Sequence, residues 1–186
     1  SYRVVAMDLP GHGNSGATRT NWSIEGLGQD VVAVFDKLQI DKAILIGHSM
    51  GGPVALAAAR ELKGRVAAIA CVDTLHDLEQ VTPKAALEPF AKALEADFEG
   101  TLTRMSEAMF QKDGDPTVKD FVLTQALKAD KTAAVALIRG FADLDLTAFA
   151  QEADVPLRCI NAAPLPPAIP STNLRDNQKH ADYDVQ

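Results

Sequence analysis

The sequence predicts an α/β fold built on a mostly parallel sheet, with flanking helices and an inserted helical segment. Short apolar runs alternate with helical patterns in the first 74 residues, which is typical of strands joined by crossover helices. About 75 residues without a strand pattern follow before the next apolar run, far more than an ordinary crossover contains. We therefore expect an α/β core of residues 1–74 and 154–186, with residues 75–153 inserted as a helical cap.

Three short apolar runs in the first part of the chain are typical of buried strands: Tyr2–Leu9, Lys42–Ile46 and Arg65–Val72. Ser23 is a suitable N-cap for a helix, because apolar residues recur at helical spacing from 24 to 38. The Ala-rich stretch from Met50 to Leu62 predicts a second helix, with Gly64 as its C-cap. This alternation indicates a parallel sheet covered on both faces.

The remaining chain is predicted to be helical until the strand pattern returns. Thr82-Pro83 begins one helix, and further helical runs lie around Val118–Ala129 and Thr132–Phe141. Val155–Asn161 has the pattern of another strand, and a Pro-rich loop follows it. A last helix is predicted over Ser171–Ala181, with the start of one more strand after it.

Composition excludes several classes of protein. The chain has 186 residues, of which 47% are apolar, so it can form a sizeable core and is not intrinsically disordered. Its formal net charge of −7 argues against nucleic acid or an anionic membrane surface as the main partner. No apolar run reaches the roughly 18 residues of a membrane span, and no signal peptide is visible. A cytoplasmic location is therefore expected.

Two cysteines lie in apolar runs that resemble strands. Cys71 is in the sequence IACVD and Cys159 in LRCIN. Buried free thiols are favoured over a disulfide, because nothing in the sequence requires an oxidising compartment.

The motif that carries chemistry is Gly47-His48-Ser49-Met50-Gly51, a G-x-S-x-G between a predicted strand and a predicted helix. A nucleophile on so sharp a turn takes a strained backbone conformation. The residues two positions away, Gly47 and Gly51, are expected to be small because larger side chains there would collide with the turn. The turn raises the Ser49 hydroxyl above the carboxyl ends of the strands. It also places the Met50 N–H at a helix N-terminus, where it would bind an oxyanion.

These features resemble the α/β-hydrolase family of serine esterases and lipases. The sequence DLPGHGNSG resembles the family's loop after its fourth strand, and LIGHSMGG resembles its nucleophile elbow. The helical insert resembles its cap domain, and VPLRCINA its seventh strand. The resemblance implies an ester hydrolase with a Ser–acid–His triad, and with neither a cofactor nor a metal.

The sequence also departs from that family's pattern. The resemblance implies strands before Tyr2, with a loop that supplies a second oxyanion amide, and a histidine after an eighth strand. Neither is found in these 186 residues, and a fragment of a longer protein is one reading of this. The family's usual acid follows the seventh strand, whereas Asn161–Pro164 contains no carboxylate.

Asp73 and His76 are the candidates for the missing acid and base. Asp73 directly follows a predicted strand, at the same end of the sheet as Ser49, and some family members place their acid there. A helix cap is its alternative role. His76 lies three residues later and at the correct end, although a surface position is the simpler reading.

The other three histidines are weaker candidates. His180 is expected at the opposite end of the sheet from Ser49. His12 lies in a GHG turn that is more often structural, and His48 is expected to pack behind the elbow.

A dinucleotide site is the competing interpretation of the glycine-rich loop. Gly11, Gly13 and Gly16 match G-x-G-x-x-G after a strand, but polar residues separate them from the next helix. Asp36, about 20 residues on, lies within a helical pattern rather than at a strand end. A structural turn is favoured.

Hydrolysis of a small-molecule carboxylic ester through an acyl-enzyme on Ser49 is the function that the sequence favours. A receptor-like member that binds a small ligand without turnover is the alternative. Five large side chains in the predicted cap would line an acyl pocket or form the cap core: Phe90, Phe98, Met105, Met109 and Phe110. An exposed strand edge near the N-terminus also predicts a homo-oligomer.

Overall fold

The structure, a computed structural model, describes residues 2–111, 113–163 and 171–186. Within them the strands are β1 (Ala43–His48), β2 (Val66–Val72), β3 (Leu157–Ile160) and β4 (Tyr183–Val185). The helices are α1 (Ile24–Lys37), α2 (Gly51–Glu61), α3 (Lys84–Ala96), α4 (Phe98–Met109), α5 (Pro116–Ala126), α6 (Lys131–Gly140), α7 (Leu146–Ala153) and α8 (Leu174–Asn177).

The chain divides into two compact units. The helical unit comprises Ser1–Trp22 and Ala85–Gly140, and the sheet unit comprises Ser23–Lys84 and Phe141–Gln186. These limits differ from the predicted cap of residues 75–153. Helix α7 belongs to the sheet unit because it packs on α2, and the turn near the N-terminus belongs to the helical unit because Asp130 N donates to Gly11 O.

The four strands form one parallel sheet in the order β1-β2-β3-β4, which confirms the predicted α/β class. The register places Ile46 opposite Ala70, and Ala70 opposite Arg158. Because all strands run in the same direction, their carboxyl ends lie at one edge of the sheet. Ser49, Asp73 and Asn161, which follow β1, β2 and β3, are therefore brought to that edge.

One face of the sheet is covered by helices. Helix α2 packs on β1 and β2, while α1 and α7 both pack against α2. On this face Ile69 and Leu157 are 0% and 1% exposed. On the opposite face Ile44, Ile46 and Ile160 are 54%, 76% and 62% exposed. The expectation of a sheet covered on both faces is therefore wrong for the described residues, because the longer helices of this unit gather on one side.

The predicted strand at Tyr2–Leu9 is also wrong. These residues form no strand, and the side chains of Tyr2 and Val4 are 91% and 86% exposed. A strand requires hydrogen-bond partners on a neighbouring strand, and none of the four described strands pairs with this segment. Strand β1 is consequently an edge of the described sheet.

The helical unit has a small core of its own, formed by Ala91, Leu94, Leu102 and Val135. Phe90 and Phe98 pack against this core, whereas Met105 and Met109 are 36% and 53% exposed. The two phenylalanines are thus partly buried and extend the core of the helical unit. None of the described helices is both long and apolar enough to cross a membrane.

Cys71 and Cys159 are opposite each other in the register of β2 and β3. Both are free and buried, as the sequence predicts. The neighbouring Cys159 sulfur and burial together raise the pKa of the Cys71 thiol, so that Cys71 remains protonated at neutral pH.

Candidate active site

Ser49 lies on the sharp turn between β1 and α2, with φ of +49°. This left-handed conformation is unusual for a residue with a side chain and costs on the order of 1–3 kcal/mol. Two hydrogen bonds hold it: Ser49 N donates to Val72 O over 3.2 Å, and Gly52 N donates to Ser49 O over 3.0 Å. The turn therefore has the geometry of a nucleophile elbow.

The glycines around this turn have different roles. A Cβ at Gly47 would lie 2.3 Å from Gly51 O, so the close approach of strand and helix requires glycine there. A Cβ at Gly51 would meet no atom within 4 Å, contrary to the expectation that both motif glycines avoid collision. The second steric requirement falls instead on Gly52, where a Cβ would lie 2.5 Å from Thr74 Cγ2.

Two further strained residues follow β2, since Asp73 has φ of +47° and Leu75 has φ of +54°. The other non-glycine residues with positive φ, Gln39, Asp143 and Asp154, lie just after helix ends. Such conformations are ordinary at helix C-termini, but they are costly at strand ends. Strain at Ser49, Asp73 and Leu75 is thus concentrated at the carboxyl edge of the sheet, where the sequence places the site.

Asp73 and His76 are in contact. His76 Nε2 lies 3.3 Å from Asp73 Oδ1, and the two side chains are 13% and 31% exposed respectively. Asp73 is held from the neighbouring strand end, because its N–H donates to Ile160 O over 2.9 Å and Ala162 N donates to its Oδ1 over 3.1 Å. The sequence-predicted acid and base are therefore brought together.

A chain of polar side chains connects His76 with the end of β3. Thr172 Oγ1 lies 3.4 Å from His76 Nδ1 and accepts a 3.0 Å hydrogen bond from Asn161 Nδ2. Asn161 Oδ1 in turn accepts from Thr74 N over 3.1 Å. Asn161 thus bridges the loop after β2 and the segment before α8, from the place where the family resemblance implies a carboxylate.

The side chain of Asn177, which is fully buried, forms hydrogen bonds with the loop that carries Asp73 and His76. Its Nδ2 donates to the carbonyls of Leu75 and His76, and its Oδ1 accepts from Leu78 N over 2.8 Å. Tyr183 adds a 2.9 Å hydrogen bond from its hydroxyl to Leu75 O. Both ends of the Asn177 amide have hydrogen-bond partners, which offset the cost of burying it beneath the strained loop.

The remaining histidines are engaged elsewhere. His180 Nε2 lies 2.7 Å from Glu79 Oε1, and its Nδ1 lies 3.3 Å from Gln151 Nε2. His48 is exposed, contrary to the expectation that it packs behind the elbow. His12 Nδ1 lies 3.1 Å from Pro10 O, within its own turn.

Ser49 makes no side-chain hydrogen bond to another residue in the described ranges, and His76 directs its nitrogens at Asp73 and Thr172. The Met50 N–H, immediately before α2, is likewise without an acceptor among the described residues. The site therefore combines a strained serine and an unengaged amide donor with a nearby carboxylate–imidazole pair.

The glycine-rich loop near the N-terminus forms a closed turn. Gly11 N donates to Gly16 O over 3.1 Å, and Ser15 Oγ donates to Asp8 O over 2.7 Å. The next helix begins only at Ile24, so no helix opens within the glycine run, as the dinucleotide fingerprint requires. The favoured reading as a structural turn agrees with this geometry.

An open polar cleft of about 510 Å³ borders the His76 network in the sheet unit. It shares Thr172 with that network, and its walls carry two carboxylates. The lining residues are Asp77, Glu79, Gln80, Ser171, Thr172 and Asn173. None of the described side chains forms a group of three or more potential metal ligands.

The residues that sequence reasoning missed are Thr74, Thr172 and Asn177. Thr74 directly follows Asp73 at a strand end, where polar side chains of a parallel sheet converge, and that position is a usable signal. Thr172 and Asn177 are distant in sequence from β2, and only the tertiary fold brings them to its loop.

Comparison with known proteins identifies one family. A family model described as the alpha/beta hydrolase fold matches residues 1–165. The chain is 28% identical over 141 residues to the AB hydrolase superfamily protein YisY of Bacillus subtilis, covering 69% of this chain and 51% of that protein. It is 47% identical over 55 residues to 3-oxoadipate enol-lactonase 1 of Acinetobacter baylyi, covering 30% of this chain and 20% of the relative.

Solved structures show the same fold. The enol-lactonase from Burkholderia xenovorans superposes with a TM-score of 0.80 at 23% identity, covering 96% of this chain and 69% of that one. An esterase from Exiguobacterium antarcticum gives a TM-score of 0.80 at 17% identity, with coverage of 96% and 70%. The aligned regions span about a fifth of the enol-lactonase relative and about half of YisY.

Proposed function

Because this chain belongs to the alpha/beta hydrolase fold family, we propose that it is a serine hydrolase that cleaves small carboxylic esters through an acyl-enzyme on Ser49. The observation that carries the proposal is the strained elbow, with Ser49 at φ of +49° between β1 and α2. Relatives named as an esterase and as enol-lactonases support hydrolysis of an ester-type bond.

In the proposed mechanism Ser49 Oγ attacks the ester carbonyl, and the Met50 N–H stabilises the oxyanion that forms. His76 accepts the serine proton, and Asp73 holds the imidazole and stabilises its charged form. The ester C–O bond then breaks as His76 gives that proton to the leaving alcohol, and water hydrolyses the acyl-enzyme with His76 again accepting and returning a proton. Support for this pair comes from the 3.3 Å contact between them. To reach Ser49 the imidazole must exchange its contact with Thr172 for one with the serine hydroxyl while it keeps Asp73, and active sites often complete such hydrogen bonds only with substrate bound.

A second candidate function is ligand binding without turnover. It is favoured by one observation, namely that no described histidine donates to or accepts from the Ser49 hydroxyl. The two buried free thiols of Cys71 and Cys159 suit a reducing compartment, so we propose a cytoplasmic location for either function.

A fluorophosphonate probe separates the two functions, because it phosphonylates only an activated serine. We expect mass spectrometry to find the adduct on Ser49, and Ser49→Ala to abolish labelling. Saturable binding of a small ester without labelling of Ser49 would instead support the receptor-like function.

A further inference from the structure

The carbonyl oxygen of Ser49 accepts two hydrogen bonds. One comes from Gly52 N over 3.0 Å, within the turn. The other comes from Thr74 Oγ1 over 2.7 Å, and Thr74 belongs to the loop after β2. Thr74 is only 7% exposed, so little water competes for this bond. The nucleophile turn is therefore tied to the neighbouring strand end by a buried hydroxyl.

This bond determines the direction of a different group. The carbonyl of Ser49 and the N–H of Met50 belong to the same peptide unit, which is planar and trans. Fixing the carbonyl toward Thr74 consequently fixes the Met50 N–H in the opposite direction. That amide has no acceptor among the described residues and is the proposed oxyanion donor.

Thr74 is itself held in place on two sides. Its N–H donates to Asn161 Oδ1 over 3.1 Å, which anchors its backbone to the end of β3. Its side chain lies against Gly52, where a Cβ would come within 2.5 Å of Cγ2 and 2.6 Å of Oγ1. The rotamer that directs the hydroxyl at Ser49 O is thus restricted by packing as well as by hydrogen bonding.

We propose that Thr74 is a positioning residue whose hydroxyl orients the Ser49–Met50 peptide, and through it the oxyanion-binding N–H of Met50. This inference rests on the proposed function for its catalytic consequence, whereas the peptide orientation stands on the hydrogen bonds alone. Transition-state stabilisation by such a donor depends on its direction toward the developing charge. A loosened peptide therefore lowers kcat more than it weakens substrate binding.

The test compares Thr74→Val, which keeps the shape and loses the hydroxyl, with Thr74→Ser, which keeps the hydroxyl. We expect Thr74→Val to lower kcat and the phosphonylation rate about tenfold, less than the roughly 10²–10³ for a lost oxyanion donor, with KM nearly unchanged. Thr74→Ser should restore most of the rate. Equal rates in wild type and Thr74→Val, or equal losses in Val and Ser variants, would overturn the inference.

Thr101→Val is the matched control, because Thr101 is 5% exposed and its hydroxyl also donates to a backbone carbonyl, that of Ala93. We expect it to lower the melting temperature without a tenfold fall in phosphonylation rate. A similar fall in both variants would indicate a loss of stability rather than of positioning.

The amide resonance of Met50 gives a readout that does not depend on catalysis. Its position in the ¹H–¹⁵N spectrum should change in Thr74→Val and return in Thr74→Ser. An unchanged resonance in Thr74→Val overturns the positioning role even in an active protein. A changed resonance in a protein that the probe does not label supports the positioning role and rejects the proposed hydrolase function.

Discussion

Asp73 Oδ1 has two partners at once: it lies 3.3 Å from His76 Nε2 and accepts a 3.1 Å hydrogen bond from the N–H of Ala162. One carboxylate oxygen therefore joins the loop after β2 to the residue that follows Asn161. The carboxylate is aligned by backbone from the adjacent strand while it contacts the imidazole. This arrangement allows the roles of both residues to be tested separately from the stability of the fold.

Asp73→Asn should lower ester hydrolysis by up to about 10⁴-fold, because an amide favours the wrong imidazole tautomer. Asp182→Asn is the control, since Asp182 pairs with Arg158 on the sheet and is 64% exposed. Steady-state kinetics with a p-nitrophenyl ester measures both. An undiminished rate constant in Asp73→Asn would leave Asp73 as a structural residue at the strand end.

Ser49→Ala should lower hydrolysis of short p-nitrophenyl esters by about 10⁴-fold or more, because the nucleophile is removed. The side chain is exposed and makes no hydrogen bond to another described residue, so thermal unfolding should change little. Circular dichroism checks the fold. Retention of more than a tenth of the wild-type rate contradicts the assignment of the nucleophile.

Gly47→Ala should destabilise the protein by roughly 1–3 kcal/mol, the usual cost of overpacking, because its Cβ would meet Gly51 O at 2.3 Å. Gly51→Ala is the matched variant, since its Cβ meets no atom within 4 Å and its stability should change little. Denaturant unfolding should therefore separate two glycines of one motif. Equal losses in both variants would refute this steric account.

Arg139 donates to Glu95 Oε1 over 2.7 Å, and this hydrogen bond lowers the pKa of the Glu95 carboxyl below its ordinary value. A lowered folded-state pKa contributes stability above the unfolded value, and the contribution is lost as pH falls through the folded pKa. The effect is small because Glu95 is exposed. The pKa of the Glu95 carboxyl, measured by NMR titration, should rise in Arg139→Met and stay unchanged in Arg158→Met. The reverse result would show that Arg139 does not cause the lowered pKa of Glu95.

The 186-residue chain should self-associate through the free edge of β1. Ile44, Ile46 and His48 alternate along this edge strand with their side chains on the uncovered face, and such an edge is a template for pairing with another chain. Light scattering at micromolar concentration should detect a dimer or larger species. Ile46→Lys should weaken it, and a wild-type monomer at these concentrations would contradict the prediction.

Several elements could be predicted from local sequence because their causes are local. Helix α1 begins after Ser23, whose hydroxyl accepts from Gly26 N, and Gly64 takes φ of +79° after α2. The last helix is the local failure, with four residues in α8 instead of the predicted eleven. After Asn177 the chain continues in hydrogen-bonded turns rather than in the helix, with His180 N donating to Asn177 O over 3.0 Å.

The sequence by itself determined the parallel α/β class, the sharp strand-to-helix turn at Ser49 and the position of Asp73 at a strand end, because each follows from periodicity or from residues adjacent in the chain. The tertiary structure alone decided which strand was absent, which sheet face was left open and which residues hold the site. The run at Tyr2–Leu9 is apolar, but it would form a β-strand only by hydrogen bonding to a neighbouring strand. Likewise Thr74, Asn161 and Thr172 acquire their partners through contacts between residues distant in the chain, which no local pattern encodes.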